Sequence, residues 1–196
     1  MNKLLSVFLV ALSFITASII LENYAQAEVV FKQKFKSFTV SGKNSDQLFR
    51  SFQKNSPLKA TGPNNATLGV AGIRFTPLVD FETKGSRCRV ASSKVIADVE
   101  IHLPRWANYR SADRMNRKLW DDFVADIKTH ELVHADIARE YAGRMDRKIL
   151  SMNSRSSCEA MEAAVTRAAT RVLDQHDRAQ RKFDRKDGQR FFGNHF

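Results

Sequence analysis

The sequence predicts an α+β domain, with an N-terminal antiparallel or mixed β-sheet region followed by a C-terminal helical hairpin. Three observations predict it. Residues 28–104 are rich in β-branched and aromatic residues with stretches of period two. Residues 111–185 carry apolar residues at steps of three and four. Within that second region lies His130-Glu131-Leu132-Val133-His134, an H-E-x-x-H pattern on a segment that reads as helix.

Residues 1–27 are expected to stand outside the fold. Lys3 precedes an apolar run from Leu4 to Leu21, and Ala25-Gln26-Ala27 has the small-residue form of a signal-peptidase site. The run is also close to the length of a membrane anchor, but the cleavage site favours removal. No second apolar span follows, so the mature chain from Glu28 is expected to be exported, periplasmic or secreted, with no transmembrane segment. Residues 28–196 then form one domain, a length that can bury a core.

The chain is strongly basic, with a formal net charge of +11. Outside the cytoplasm such a charge suits solubility and, as partners, anionic envelope surfaces such as lipid or acidic wall polymers; nucleic acid is not expected there. The two cysteines, Cys88 and Cys158, are expected to form one disulfide in an oxidising compartment.

Element by element, Val29 to Phe31 and Phe35 to Val40 read as strand, and Ser41-Gly42-Lys43-Asn44 as a turn. Leu48, Phe49 and Phe52 give a short helix over Asp46–Lys54. Ser56-Pro57 and Thr61 to Asn65 are breakers. Strands are expected at 69–75, 78–82 and 87–103. In the last, Val95, Ala97, Val99 and Ile101 alternate with Ile96, Asp98, Glu100 and His102, which puts His102 on the polar side as a strand residue and not a ligand.

Ser111 is the expected cap of a long helix ending near Leu150. Its stripe is Trp120, Phe123, Ile127, His130, His134, Ala138, Tyr141, Met145 and Ile149; its wet face carries Asp122, Lys128, Asp136, Arg139 and Glu140. Ser156-x-x-Glu159 matches a capping box that opens a second helix. That helix bears Met161, Val165, Ala168, Val172, His176, Ala179 and Phe183 on one stripe, and is expected to end between Arg185 and Gly188.

On a helix, positions i and i+4 lie one turn apart on one face, so His130 and His134 can reach a single ion, with Glu131 between them placed to handle the proton of a water. With 5 His in 196 residues, such a pattern arises by accident about 0.005 times in a chain of this composition. The chemistry implied is that of a zinc metallopeptidase: Zn²⁺ on His130 and His134, Glu131 catalytic, and a peptide or protein as substrate. A third ligand is required. His176, in the centre of the second stripe, is the first choice. Asp184 is the alternative, as ligand or as partner of a ligand, and Glu162 lies on the flank of the stripe. The extended H-E-x-x-H-x-x-G-x-x-H pattern does not follow, which argues against the metzincin type.

Val40-Ser41-Gly42, Cys88, Leu103-Pro104-Arg105-Trp106, Trp120, Phe123, His130 to His134, Cys158 and Phe183-Asp184 occur in an order that resembles a bacterial family of exported proteins of unknown function, classed as predicted zinc-dependent proteases. The resemblance covers nearly all of the mature chain and implies a zincin-like site. It departs after Phe183-Asp184: the family pattern continues with Thr-x-His-Gly, and this chain has Asp187-Gly188-Gln189-Arg190. A non-catalytic, envelope-associated binding module with a structural or vestigial metal is the rival reading.

Overall fold

The computed structural model describes residues 28–57 and 70–195, with side chains to Asp187 apart from Ser45 and Val70. The export signal expected at 1–27 and the breakers at 61–65 lie outside the described residues. Three strands and three helices follow in chain order: β1 (Glu28–Val40), α1 (Ser45–Asn55), β2 (Val70–Lys84), β3 (Arg87–Trp106), a 3₁₀ turn at Tyr109–Ser111, α2 (Arg114–Leu150) and α3 (Cys158–His195). The architecture is α+β, a mixed sheet followed by a helical hairpin.

The sheet order is β1-β3-β2. β3 runs parallel to β1, with Val29 opposite Val95 and Phe35 opposite Ile101. β2 and β3 form an antiparallel hairpin closed at Gly85, whose φ of 63° is open to glycine at little strain. The two segments expected at 69–75 and 78–82 are one strand. Pro77 does not break it because β2 is an edge: Pro77 has the same parity as Ala71, whose N–H turns away from β3 toward Glu131, so its missing donor falls on the unpaired side.

One face of the sheet is polar. Asp98 and Glu100 of β3 lie opposite Lys32 and Lys34 on β1 and opposite Arg74 and Gly72 on β2. Glu100 bonds both Lys36 and His102, at 2.8 and 2.7 Å, so His102 is a strand residue in an ion-pair row. The other face is apolar: Val95, Ala97, Val99 and Ile101 are buried to 2 % exposure or less. α2 lies on that face through Ala135, Ala138, Tyr141, Ala142, Met145 and Ile149, and α3 adds Met161, Val165 and Val172. A smaller cluster of Phe38, Val40 and Phe52, with Trp120 and Phe123, attaches α1 to the sheet end and to the first turns of α2.

Helix ends differ from expectation by small steps. Asp113, not Ser111, caps α2, accepting from the Asn116 N–H at 2.9 Å, because Ser111 is used in the 3₁₀ turn. Ser157, not Ser156, caps α3, with its Oγ accepting from Ala160 N–H at 3.1 Å. α3 does not end near Arg185; it continues through Gly188 and Gly193 to His195, since each glycine lowers helix propensity by only about 1 kcal/mol.

Cys88 and Cys158 are joined by a disulfide. It ties the start of β3 to the start of α3. Reciprocal backbone bonds between Cys88 and Arg155 (2.9 and 2.8 Å) and the Arg87 guanidinium on the Ser154 carbonyl (2.7 Å) reinforce the same joint. The hairpin is thereby clamped to the sheet at its closed end, which leaves the other end to carry the site.

Candidate metal centre

α2 and α3 run antiparallel, so residues early in α2 face residues late in α3. His134 meets Gln180 and His130 meets Asp184 and Asp187. These α3 positions follow one helical stripe: His176, Gln180, Asp184 and Asp187 are spaced four, four and three apart.

The centre is a triangle of ligand atoms. His130 Nε2 and His134 Nε2 are 3.0 Å apart, His134 Nε2 is 2.9 Å from Asp184 Oδ1, and His130 Nε2 is 3.5 Å from the same oxygen. Among the described residues this is a His/Asp group able to hold a metal ion. Donors about 2.0–2.1 Å from a tetrahedral ion stand about 3.3 Å from one another, and the three distances bracket that value.

The protons argue in the same direction. His130 Nδ1 lies 2.8 Å from Asp187 Oδ2, an acceptor, so that nitrogen carries the hydrogen. His134 Nδ1 lies 2.5 Å from Gln180 Oε1. The amide is oriented by its own nitrogen, which donates to the His134 carbonyl at 3.1 Å and to His176 Nε2 at 2.8 Å. Both rings therefore use Nδ1–H outward and turn their Nε2 lone pairs toward each other and toward a carboxylate oxygen. Three acceptors at such distances repel unless a cation, a metal or protons, sits among them. Phe183 packs on both rings, with centroids 4.8 and 5.0 Å away, and limits their rotation.

Without a metal the protons must supply the cation. Burial opposes charge on both rings. At His130 the Asp184 and Asp187 carboxylates outweigh it, and at His134 Asp184 and Gln180 do, so each imidazole holds a proton more tightly than usual. Burial also opposes the charge of Asp184, but its bonds to His130 and His134 hold its carboxyl well below the ordinary range.

Glu131 is 4 % exposed and lies between the helix and the start of β2. Burial raises its carboxyl above the ordinary range; the charges of His134 and His130 and a hydrogen bond from the Ala71 backbone N–H pull it down by less. The side chains of His130 and His134 are 21 % and 12 % exposed, and Asp184 is 51 % exposed. A buried carboxylate thus stands beside an ion-holding triangle open to solvent on the α3 side.

Of the candidate third ligands, Asp184 is the one placed with the histidines. His176 is not: it lies two turns before Asp184 on α3, buried against Phe75 and Tyr141, and its Nε2 is taken by Gln180 while its Nδ1 is 3.2 Å from Asp177. It supports the site through Gln180 instead of joining it. Glu162 is exposed in the second turn of α3, near the disulfide end. Gln180 and Asp187 were not singled out from the sequence. The signal was there, since polar residues recur on the α3 stripe that faces two histidines, but only the helix pairing shows which turn meets which.

A model for a bacterial family of unknown function, DUF922, matches residues 35–193. No curated protein and no solved structure matches the chain.

Proposed function

The chain belongs to the DUF922 family, and we propose that it is an exported zinc-dependent peptidase that hydrolyses a peptide or related amide bond. The observation that carries this reading is the convergence of His130 Nε2, His134 Nε2 and Asp184 Oδ1 within 3.5 Å, with the buried Glu131 carboxylate on the same turn of helix. Zn²⁺ in such a three-ligand site supplies Lewis-acid polarisation of a carbonyl and acidification of water, with a coordination position left for substrate.

The chain's own residues then have separable tasks. His130, His134 and Asp184 hold the ion. Asp187 and Gln180 fix the tautomer of each ring by accepting its Nδ1–H. Glu131, with its carboxyl raised by burial, accepts a proton from the attacking water and returns it to the leaving amine, since a base works best with a pKa close to the ambient pH. The disulfide and the expected leader favour action outside the cytoplasm.

The test is peptide hydrolysis by the zinc-loaded, disulfide-bonded protein against a mixed peptide substrate, beside Glu131→Gln. Cleavage by the parent and its loss in a variant that still holds one zinc supports the peptidase. One bound zinc with no cleavage by either protein favours the non-catalytic module.

A further inference from the structure

A second feature lies away from the metal, where β1 runs into α1. The loop Ser41–Asn44, one face of α1 and Asn108 enclose an open groove of about 490 Å³. Gln47, Arg50, Ser51, Lys54 and Asn55 line it at helical spacing, and Lys43 stands at the loop.

The walls are fixed. Ser41 N–H donates to Ser51 Oγ at 2.9 Å, Gly42 N–H to Asn108 Oδ1 at 3.3 Å, and Trp106 Nε1–H to the Gly42 carbonyl at 2.9 Å. A side chain at Gly42 would meet the Leu48 nitrogen at 2.6 Å, so the loop lies directly on the first turn of α1. The shape is therefore set before any ligand arrives, which lowers the ordering cost of binding.

The charge is one-sided. Lys43, Arg50 and Lys54 line the groove and no carboxylate does. Among the described residues, Lys36 is paired with Glu100, Lys94 with Glu28, Lys118 with Asp122 and Arg144 with Glu140. The three groove cations have no such partner there. Three like charges around a concave, amide- and hydroxyl-lined surface suit a compact, multiply charged oxyanion. A guanidinium grips such an anion with two parallel bonds, and ammonium groups add point charge.

We propose that this groove is a binding site for a phosphoryl group, either free phosphate or the phosphate of a lipid headgroup. It is independent of the peptidase reading and can hold if that reading fails. The net charge of +11 makes diffuse attraction the competing explanation, so the test compares two neutralisations of equal charge. One is Arg50→Gln/Lys54→Gln in the groove; the other is Arg167→Gln/Arg171→Gln on the exposed side of α3. All four side chains are exposed, so both variants keep the fold.

Binding is measured at about 0.15 M salt, where exposed charges are screened beyond about 8 Å. One arm titrates inorganic phosphate and pyrophosphate by calorimetry. The other sediments the protein with vesicles of phosphatidylglycerol and phosphatidylcholine, and with phosphatidylcholine alone. The expected result is binding that the groove variant loses by about tenfold or more while the α3 variant stays within about twofold. If the soluble anions bind with this pattern, the ligand is free phosphate; if the phosphatidylglycerol vesicles alone do, it is a headgroup. Equal weakening by the two variants, or no binding in either arm, overturns the site.

Discussion

His130 and His134 present their Nε2 atoms to each other at 3.0 Å while each ring's Nδ1 is engaged by an acceptor on α3. Two lone pairs held so close need a cation, and Asp184 Oδ1 beside them makes that cation a metal as readily as a proton. The first prediction follows. Asp184→Ala should lower zinc affinity by more than about 100-fold, whereas Gln180→Ala and His176→Ala, which remove outer hydrogen-bond partners, should lower it by about 10–100-fold and about tenfold and keep one ion per chain. Competition with a chelating dye measures all three. A His176→Ala loss as large as that of Asp184→Ala would place His176 among the ligands.

Acid should weaken the metal early. In the metal-free chain both imidazoles hold protons more tightly than a free ring, because Asp184, Asp187 and Gln180 outweigh burial. Zinc must displace those protons, so apparent affinity should begin to fall above about pH 6.5 and steepen below it. The sign for stability is opposite in the metal-free chain. A histidine with a raised folded pKa adds stability that is fully present below the unfolded value of about 6.5 and is lost as pH rises through the folded value. Thermal melts between pH 6 and 8 should therefore show the metal-free protein losing stability with rising pH and the zinc-loaded protein gaining it. Parallel trends in the two forms would contradict the proton assignment at Nε2.

Much of this arrangement could be read from the sequence, for identifiable reasons. The spacing of His130 and His134 is a local property of one helix, as is the alternation of Val95 to Ile101, and each survives folding unchanged. The choice between His176 and Asp184 is different in kind. Both lie on the α3 stripe, and only the antiparallel offset of α2 and α3, set by the connection at 151–157 and by the packing of both helices in one core with β3, decides which of them faces His130 and His134. The continuity of β2 through Pro77 depended on its being an edge strand, which no window of residues around Pro77 reveals. Gln180 is not legible in the sequence, because a glutamine has no chemical signature apart from the groups that need its orientation.

In the proposed peptidase, Glu131 separates catalysis from metal holding. Its carboxyl is 4 % exposed, raised by burial, and accepts from the Ala71 N–H. Glu131→Gln should keep that acceptor and the metal, and should lower the hydrolytic rate by about 10²–10⁴-fold. The same change should raise the melting temperature of the metal-free protein at alkaline pH. An acid with a raised folded pKa destabilises the fold once it ionises, and glutamine cannot ionise. Hydrolysis at the parental rate in a zinc-bearing variant would remove Glu131 from the chemistry.

The disulfide should govern stability without governing the site. Cys88 and Cys158 are 70 residues apart in sequence, and closing a loop of that length in the unfolded chain is worth about 4 kcal/mol on the loop-entropy model. At about 2–4 °C per kcal/mol for a domain of this size, the Cys88→Ser/Cys158→Ser variant should melt about 8–16 °C below the parent. Asp184 lies 26 residues beyond Cys158 on the same helix, a distance of about 39 Å at 1.5 Å per residue. The backbone bonds between Cys88 and Arg155 remain in the variant to keep the hairpin in register. Zinc affinity at temperatures well below the melt should therefore change by less than about twofold, since effects at sites so far apart add independently. A melt lowered as expected together with a zinc affinity that collapses would mean that the disulfide itself sets the offset between α2 and α3.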